Sequence, residues 1–272
     1  FLNIDEIGAV TERPNYVVGL HFFSPANVMR LLEIVRGEKT DSTVLATSLQ
    51  MAKKIGKVAV VAGVCHGFIA NRVSAQRQRE AQKLILEGAM PWDIDRVLYQ
   101  FGFPMGPFQM ADVVGLDVIR GNPLNERFCA LDRRGQKTLA AYYDYDAKRQ
   151  GQPSPVAEKL IQEYASEMGL QRRPIGDQEI LERCVYPMIN EGAKILDEGK
   201  AYRASDIDIA LVHGYGWPVY RGGPMFYADT VGLQQVVDKL REFQPKLGNE
   251  FTLSPLLLPL AAEGKRFQDA GQ

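Results

Sequence analysis

Apolar and polar positions alternate in short blocks over the first sixty residues. Three apolar runs of strand length occur there, at residues 16–20, 29–35 and 58–61. Residues 42–55 carry apolar side chains at helical spacing, and residues 3–12 have the pattern of a helix end that Pro14 stops. This order of segments is typical of a parallel sheet covered by helices. The pattern predicts that residues 1–64 are the last part of a doubly wound α/β domain.

From Gly67 onward, amphipathic helical segments replace the strand pattern, and five short motifs occur twice in the same order. The first set is Leu-Glu-Gly at 86–88, Asp-Ile-Asp at 93–95, Gly-Phe-Pro at 102–104, Gly-Pro at 106–107 and Ala-Asp-Val-Val-Gly-Leu at 111–116. The second set is Asp-Glu-Gly at 197–199, Asp-Ile-Asp at 206–208, Gly-Trp-Pro at 216–218, Gly-Pro at 223–224 and Ala-Asp-Thr-Val-Gly-Leu at 228–233. Five blocks in one order indicate an internal duplication.

The duplication predicts two mainly α-helical repeat domains, at residues 65–150 and 151–272. The segment 132–155, rich in Gly, Gln, Arg and Tyr, is interpreted as the connection between them. The glycine and aromatic clusters around both Gly-Pro motifs, including the segment 214–218, are interpreted as tight turns between packed helices.

Composition and charge narrow the class of protein. The chain has 272 residues, of which 46% are hydrophobic and 24% charged, which is enough for a sizeable core. With 32 Lys and Arg against 33 Asp and Glu, it has no overall positive field to attract nucleic acid or an anionic membrane. Its apolar runs are shorter than a membrane span, and no charged-then-apolar leader opens the sequence. We therefore expect a globular protein without a nucleic-acid partner or a membrane span.

Cysteine and histidine usage argues against a metal site. Cys65, Cys129 and Cys184 lie far apart, without a CxxC pair, and the chain has three histidines. This usage is typical of a reducing compartment and of a protein without structural zinc. We expect no metal ligands in the chain.

One histidine and one glutamate are the main candidates for chemistry. His21 directly follows an apolar run, at the end of a strand where open α/β sheets carry reactive groups. Glu33 lies inside an otherwise apolar strand, and a buried carboxylate needs a hydrogen-bonding partner. Two adjacent strands could bring the imidazole to this carboxylate, which would hold the ring tautomer and stabilise the imidazolium. The pair is either a general base with its orienting group or a structural hydrogen bond under a loop.

Further polar groups lie near these segments. Asn71, at the start of the first long helix, either donates its amide to a ligand near His21 or is an ordinary polar residue at a helix start. Ser24 precedes a proline and either contacts a cofactor or only forms a turn. Cys65 and His66 are interpreted as an ordinary loop, because adjacent side chains rarely face each other and no third orienting group is evident.

A dinucleotide-binding domain normally opens with a strand, a GxGxxG turn and a helix, because glycines let a pyrophosphate approach backbone amides. These 272 residues contain no such turn. Either this domain does not bind a nucleotide, or the chain begins inside a larger protein. The first residue, Phe1, is not Met, which favours the second interpretation.

Several motifs resemble the L-3-hydroxyacyl-CoA dehydrogenases. They are Gly-Leu-His-Phe-Phe-Ser-Pro at 19–25, Leu-Glu-Ile-Val at 32–35, Gly-Phe-Ile-Ala-Asn-Arg at 67–72 and Gly-Phe-Pro-Met-Gly-Pro at 102–107. The second copy, with Gly-Gly-Pro-Met-Phe-Tyr-Ala-Asp at 222–229, is more specifically similar to multifunctional β-oxidation enzymes, which join an enoyl-CoA hydratase to this dehydrogenase. The resemblance covers nearly the whole chain. It implies an α/β remnant of a Rossmann-like domain, without its GxGxxG half, followed by the two helical repeat domains.

The resemblance also implies a reaction and the residues that perform it. An L-3-hydroxyacyl-CoA would be oxidised to a 3-ketoacyl-CoA, with hydride passing to NAD. The family's catalytic histidine falls on His21, its partner glutamate on Glu33 and its substrate-contacting asparagine on Asn71. Ser24 stands where family members often have Asn, so a cofactor contact there is a weak expectation. His66 replaces the usual proline. The family's glycine-rich NAD turn is missing, and its substrate-side serine is either missing or at the very edge of the chain.

The expected partners are an acyl-CoA thioester, a missing amino-terminal NAD-binding part and possibly a hydratase domain. The chain alone is expected to be inactive. The alternative is a non-enzymatic acyl-CoA-binding or assembly module of the same fold, but a scaffold has no need for a buried His–Glu pair. No Ser-Lys-Leu type address follows Gln272, which favours the cytoplasm over the peroxisome.

Overall fold

The computed structural model describes residues 2–119 and 121–269, so the outer ends of the first and last predicted domains, residues 1 and 272, lie outside the described residues. The helices are α1 (Ile4–Ala9), α2 (Ser42–Lys54), α3 (Ala70–Glu87), α4 (Pro91–Phe101), α5 (Pro107–Val114), α6 (Pro123–Ala130), α7 (Pro155–Glu167), α8 (Asp177–Asp197), α9 (Ala204–Tyr215), α10 (Pro224–Val231), α11 (Leu233–Leu247) and α12 (Leu257–Ala262). The strands are β1 (Gly19–Phe22), β2 (Leu31–Arg36), β3 (Val58–Gly63), β4 (Tyr143–Tyr145) and β5 (Gly151–Pro153). Short 3₁₀ turns occur at Pro14–Tyr16, Gln136–Thr138, Val219–Arg221 and Phe267–Asp269. Within the described ranges, none of the helices combines the length and the apolar character that crossing a lipid bilayer requires.

The chain divides into two compact units. One unit consists of Phe1–Gln76 and Val185–Gln272, and the other consists of Arg77–Cys184. The boundaries between them lie inside the long helices α3 and α8. These boundaries differ from the predicted ones, which follow residues 64 and 150. The predicted boundaries divide the chain by its repeated motifs, and that division stays a prediction.

The first unit contains a three-stranded sheet with the order β1, β2, β3. Strands β2 and β3 are parallel, as the sequence pattern predicts, and α2 connects them. Strand β1 is antiparallel to β2, so the prediction of a parallel sheet is wrong at this edge. The connection explains the difference, because residues 23–30 are fewer than the dozen or so that a parallel crossover needs.

Strand β1 begins later than the sequence pattern predicts. The expected run at 16–20 is divided between a 3₁₀ turn and β1, so His21 lies within the strand and not directly after it. In the antiparallel pairing, His21 lies opposite Glu33. Residues directly opposite each other project to the same face of a sheet, with Cβ atoms roughly 5 Å apart. The strand pairing itself therefore brings the imidazole beside the carboxylate.

Helix α2 covers this sheet, in good agreement with the predicted helix at 42–55. Its start is capped by Asp41, whose carboxylate accepts a hydrogen bond from the backbone N–H of Thr43 at 2.7 Å. Leu32 and Ile34 of β2 are fully buried against Ala52 of this helix. Burial of each large aliphatic side chain contributes roughly 1.5–3 kcal/mol.

The segment 132–155 lies inside the unit Arg77–Cys184, and its residues 141–143 and 145 are buried there, so it is more than a connection. It contains the antiparallel pair β4 and β5. The carboxylate of Asp112 accepts hydrogen bonds from the backbone N–H groups of Tyr142 and Tyr143, at 3.2 and 3.1 Å. Both tyrosines are buried, which gives this polar segment its own packed aromatic core.

A buried aspartate of the first unit holds the start of α10. Asp208 accepts hydrogen bonds from the backbone N–H groups of Met225, at 2.7 Å, and Phe226, at 3.3 Å. These groups have no partner within their helix, and a carboxylate here satisfies them. Burial nevertheless raises the pKa of Asp208 to about 7.

We expect an Asp208→Asn variant to gain stability relative to the wild type as the pH rises from about 4 to about 7. Over this window the folded wild type binds a proton that the unfolded chain has released, so its free energy of unfolding falls, whereas asparagine does not titrate. The relative gain is at most about 1.4 kcal/mol per pH unit. Urea unfolding of both proteins at pH 5 and pH 8 measures it, and an equal difference at the two pH values would contradict the expectation.

Candidate active site

His21 and Glu33 meet across the pairing of β1 with β2. His21 Nδ1 lies 2.6 Å from Glu33 Oε2, which confirms the predicted contact between these side chains. The Glu33 side chain is fully buried, whereas 28% of the His21 side chain is exposed. The carboxylate is therefore enclosed by protein, and the imidazole reaches the surface.

The second carboxylate oxygen of Glu33 faces the start of α3. Glu33 Oε1 accepts hydrogen bonds from the backbone N–H groups of Ile69, at 3.0 Å, and Ala70, at 2.8 Å. The first N–H groups of a helix lack partners inside it, and the partial positive charge there favours an anion. Both oxygens of the carboxylate therefore have partners while Glu33 acts only as an acceptor, which places the proton of the His21 contact on Nδ1.

The turn before α3 sets the direction of these N–H groups. Gly67 has a φ of +77°, and a Cβ there would lie 3.0 Å from the backbone nitrogen of Arg72. Phe68 also has a left-handed φ, +50°, which costs roughly 1–2 kcal/mol for a residue with a side chain. The turn thereby places the Phe68 ring 5.3 Å from the imidazole of His21.

The remaining ring nitrogen of His21 is available to a ligand. Nε2 makes no hydrogen bond to any residue within 2–119 or 121–269. The Phe23 ring lies 4.6 Å from the imidazole, which thus has an aromatic neighbour as well as a carboxylate. An imidazole that carries its proton on Nδ1 has its lone pair on Nε2, so this nitrogen can accept a proton from a ligand.

Asn71 lies on the first turn of α3, next to the Ala70 N–H that binds the Glu33 carboxylate. Its side-chain oxygen accepts a hydrogen bond from the hydroxyl of Tyr215, at 2.7 Å. Tyr215 is the last residue of α9, 144 positions further along the chain. The interpretation of 214–218 as packing alone missed this hydroxyl, and the one signal for it was a tyrosine where the first set of motifs has Phe101.

Arg72, the next residue of α3, anchors the first turn of this helix. Its Nε donates to Glu191 at 2.6 Å, and its two terminal nitrogens bind both carboxylate oxygens of Glu198, at 2.6 and 2.8 Å. The bonds to Glu198 and Glu191 raise the pKa of Arg72. This network restrains the helix start that carries Asn71.

Two other candidate residues, Ser24 and Cys65, make no hydrogen bond to His21, Glu33 or Asn71. Ser24 is exposed in the loop after β1, where its hydroxyl has no hydrogen bond to the described residues. Cys65 Sγ lies 3.3 Å from the carbonyl oxygen of Phe68, and burial raises the pKa of this thiol. In the part of the chain that the structure describes, no three or more His, Cys, Asp or Glu side chains are grouped so that they could hold a metal ion.

Models of one enzyme family match nearly all of the chain. The model for the NAD binding domain of 3-hydroxyacyl-CoA dehydrogenase matches residues 1–65. The model for the C-terminal domain of 3-hydroxyacyl-CoA dehydrogenase matches two stretches, residues 67–167 and 180–272. The chain is thus similar to this family in both its α/β part and its helical part.

The chain is also similar to parts of longer proteins. It is 42% identical to the peroxisomal bifunctional enzyme of Cavia porcellus and 41% identical to that of Homo sapiens, over 97% of the chain and 40% of each relative. It is 38% identical to the fatty acid oxidation complex subunit alpha of Shewanella amazonensis, over 98% of the chain and 39% of that protein. The chain therefore spans about two fifths of the length of these relatives.

Two solved structures share the fold. The dehydrogenase part of multifunctional enzyme 1 from C. elegans is 34% identical with a TM-score of 0.69, over 95% of this chain and 62% of that chain. The 3-hydroxybutyryl-CoA dehydrogenase of Escherichia coli K12, 24% identical with a TM-score of 0.79 over 97% of this chain and 74% of that chain, shows the fold alone. The α/β part is Rossmann-like and is followed by a helical carboxyl-terminal part. By its sequence and its fold, the chain belongs to the 3-hydroxyacyl-CoA dehydrogenase family.

Proposed function

We propose that this chain carries the acid–base residues of an NAD-dependent L-3-hydroxyacyl-CoA dehydrogenase, which oxidises the acyl-CoA thioester to a 3-ketoacyl-CoA in fatty-acid β-oxidation. The observation that carries the proposal is the 2.6 Å contact between His21 Nδ1 and Glu33 Oε2, with Glu33 bound in addition by the start of α3. A buried carboxylate that orients an accessible imidazole is the arrangement that a general base needs. Membership of the family supplies the substrate class.

The chemistry follows from the two ring nitrogens of His21. Nε2 accepts the proton of the 3-hydroxyl group while hydride leaves C3 and the carbon–oxygen bond becomes a carbonyl. NAD, when bound, supplies the hydride acceptor. Glu33 stabilises the imidazolium that forms, and in the reverse reaction the imidazolium returns its proton to the substrate oxygen. Asn71 donates its side-chain amide to the thioester or hydroxyl side of the substrate.

The residues of this chain fit only one part of an NAD site. Ser24 is exposed in the loop after the strand that carries His21, where it could contact the cofactor weakly. A pyrophosphate cradle needs a glycine-rich turn at a helix start, and no GxGxxG occurs in the 272 residues. We therefore propose that the other NAD-binding residues belong to a part of the protein outside this sequence.

We expect the isolated chain neither to bind NAD measurably nor to oxidise an L-3-hydroxyacyl-CoA, because its sequence lacks the glycine-rich turn that holds a pyrophosphate. Titration calorimetry with NAD, and an assay at high protein concentration, measure both properties. Saturable binding in the micromolar range would contradict this location of the nucleotide site.

We also propose that the two helical stretches are copies of one repeat, and ion pairs support this. Arg72 binds two glutamates of the second copy, and Arg183 binds two glutamates of the first. The pairs are Arg72 with Glu191 and Glu198, and Arg183 with Glu80 and Glu87. Counterparts among these six residues are 111 positions apart, since Arg72, Glu80 and Glu87 correspond to Arg183, Glu191 and Glu198. Reciprocal contacts of this kind are typical of two like elements that pair with each other.

Buried aspartates support the same proposal. Asp95 accepts hydrogen bonds from the N–H groups of Phe108 and Gln109 at the start of α5, which follows the first Gly-Pro motif. Asp208, at the matching place of the second Asp-Ile-Asp motif, binds the start of α10 in the same way. In each copy, the last aspartate of the Asp-Ile-Asp motif therefore caps the helix that begins at the Gly-Pro motif.

The relatives support a larger protein and a peroxisomal location. Two of them are named as peroxisomal bifunctional enzymes, and this chain covers 40% of their length. We propose that the whole protein also contains a hydratase domain and functions in the peroxisome. The expectation of a cytoplasmic protein is not supported by these relatives.

An assay of the protein with its complete NAD-binding domain tests the proposed activity. We expect it to reduce a 3-ketoacyl-CoA with NADH and to oxidise the L- but not the D-3-hydroxyacyl-CoA, as followed by NADH absorbance. A protein that binds acyl-CoA but shows no turnover with any chain length would instead be the non-enzymatic module.

A further inference from the structure

We propose that the Tyr215 hydroxyl is a positioning group for the side-chain amide of Asn71, a role that rests on the dehydrogenase function proposed above. Tyr215 lies in the second copy of the repeat, whereas Asn71 lies in the first. The site would then be incomplete without the second copy, although His21, Glu33 and Asn71 all lie in the first 71 residues.

A carboxamide that serves as a donor must be held in one orientation. Its oxygen and its NH₂ group are similar in size, and the torsion that exchanges them has a broad, nearly two-fold preference. Rotation of Asn71 would present an acceptor to a substrate oxygen, which repels it. A hydrogen-bond donor that is fixed beside the amide oxygen therefore leaves the NH₂ group of Asn71 facing the substrate.

Tyr215 supplies that partner. Its hydroxyl oxygen lies 2.7 Å from Asn71 Oδ1, the usual length of an O–H···O bond and shorter than the 2.9–3.0 Å of a typical N–H···O bond. The tyrosine therefore donates to the amide oxygen. The amide NH₂ of Asn71 makes no hydrogen bond to the described residues, so both of its hydrogens are available to a ligand.

Packing at the end of α9 holds Tyr215 in turn. Its ring meets the ring of Phe23 edge-on, with centroids 6.2 Å apart, and Phe23 is the ring beside His21. The preceding residue is Gly214, where a Cβ would lie 2.7 Å from the side chain of Leu31. The helix end thus approaches the sheet as closely as a glycine allows, and one aromatic ring separates the hydroxyl from the general base.

The counterparts of Tyr215 and Asn71 in the repeat show what packing alone requires at the end of this helix. Phe101 occupies the position of Tyr215 in the motif, and Glu182 occupies that of Asn71. Phe101 is buried, with its ring stacked on Phe103 at 5.7 Å. A phenylalanine ring therefore suffices to end this helix. The amide of the first copy and the hydroxyl of the second therefore meet at the site, whereas their counterparts Glu182 and Phe101 carry neither group.

We expect Tyr215→Phe to lower kcat/KM by about 3- to 10-fold, the usual worth of one neutral hydrogen bond. The pH profile stays unchanged because His21 and Glu33 are untouched. The matched control is Tyr202→Phe, which removes an exposed hydroxyl and keeps the ring that lies 5.1 Å from the Arg36 guanidinium. This control should retain full activity. Both variants are assayed in the protein with its complete NAD-binding domain.

A double-mutant cycle separates positioning from a merely structural role. If Tyr215 acts through Asn71, the Tyr215→Phe effect disappears in an Asn71→Ala background. An equal effect in both backgrounds would overturn the proposal. Asn71→Asp keeps an acceptor for the tyrosine but has no donor for the substrate. We therefore expect it to lose as much activity as Asn71→Ala while its melting temperature stays near that of the wild type.

A measurement without turnover tests the hydrogen bond itself. Relaxation of the ¹⁵N-labelled Asn71 side chain in this chain should show a lower order parameter in Tyr215→Phe and no change in Tyr202→Phe. An unchanged order parameter in Tyr215→Phe overturns the positioning role. If the order parameter falls but Asn71→Ala retains full kcat/KM, the bond exists and the substrate contact proposed for Asn71 is wrong.

Discussion

Replacement of His21 by Gln is expected to lower kcat by roughly 10²- to 10⁴-fold in the protein with its complete NAD-binding domain, the usual worth of a positioned general base. The glutamine amide can still donate to Glu33 Oε2, so the contact that links β1 and β2 remains. It cannot accept the hydroxyl proton of the substrate at neutral pH. Steady-state kinetics with an L-3-hydroxyacyl-CoA measure the loss.

Two accompanying measurements separate this catalytic role from a structural one. The affinity for NAD and the melting temperature should both stay close to the wild-type values, because the replaced side chain is partly exposed and the hydrogen bond to Glu33 is retained. A structural His–Glu pair predicts the opposite, namely a lower melting temperature with kcat per folded molecule unchanged. Full activity of a folded His21→Gln protein would overturn the assignment.

Replacement of Glu33 by Gln is expected to lower kcat by a similar factor, roughly 10²- to 10⁴-fold, through the tautomer of the imidazole. The backbone N–H groups of Ile69 and Ala70 both require an acceptor, so the amide oxygen of the new side chain turns towards α3. Its NH₂ group then faces His21 Nδ1, which must become the acceptor. The proton moves to Nε2, and this nitrogen can no longer accept one from the substrate.

The tautomer can be observed directly. The ¹⁵N chemical shifts of His21 should show that the neutral imidazole carries its proton on Nδ1 in the wild type and on Nε2 in Glu33→Gln. Glutamine has nearly the same shape as glutamate, so the variant should fold. A variant with wild-type kcat, or with its proton still on Nδ1, would contradict the orienting role of Glu33.

Several features of this protein could be predicted because they depend on residues that are close in sequence. A carboxylate inside an apolar strand needs a partner, and this requirement alone singled out Glu33 and pointed to a histidine one strand away. The motifs of the proposed duplication are likewise visible in one sequence because each set has its own capping aspartate and Gly-Pro turn. The family resemblance rested on the same local motifs, and the matching family models confirm it.

The errors arose where local pattern does not determine pairing. A hydrophobic run indicates a strand but not the direction of its neighbour, and the antiparallel placement of β1 follows from the short connection before β2. Tyr142 and Tyr143 lie in a polar segment, and their burial accompanies hydrogen bonds from their backbone N–H groups to the buried carboxylate of Asp112. Hydrogen bonds over such separations leave no periodic signal in the sequence.

By itself, the sequence determined the family, and it predicted the repeated motifs and the contact between His21 and Glu33, since these depend on residue types at short spacing. Only the tertiary structure decided how the pair is held. The start of α3 binds Glu33 from 36 and 37 positions away, and Tyr215 binds Asn71 from 144 positions away. The physical reason is that a buried polar group takes whichever donor the fold brings within about 3 Å, and chain separation does not enter that choice.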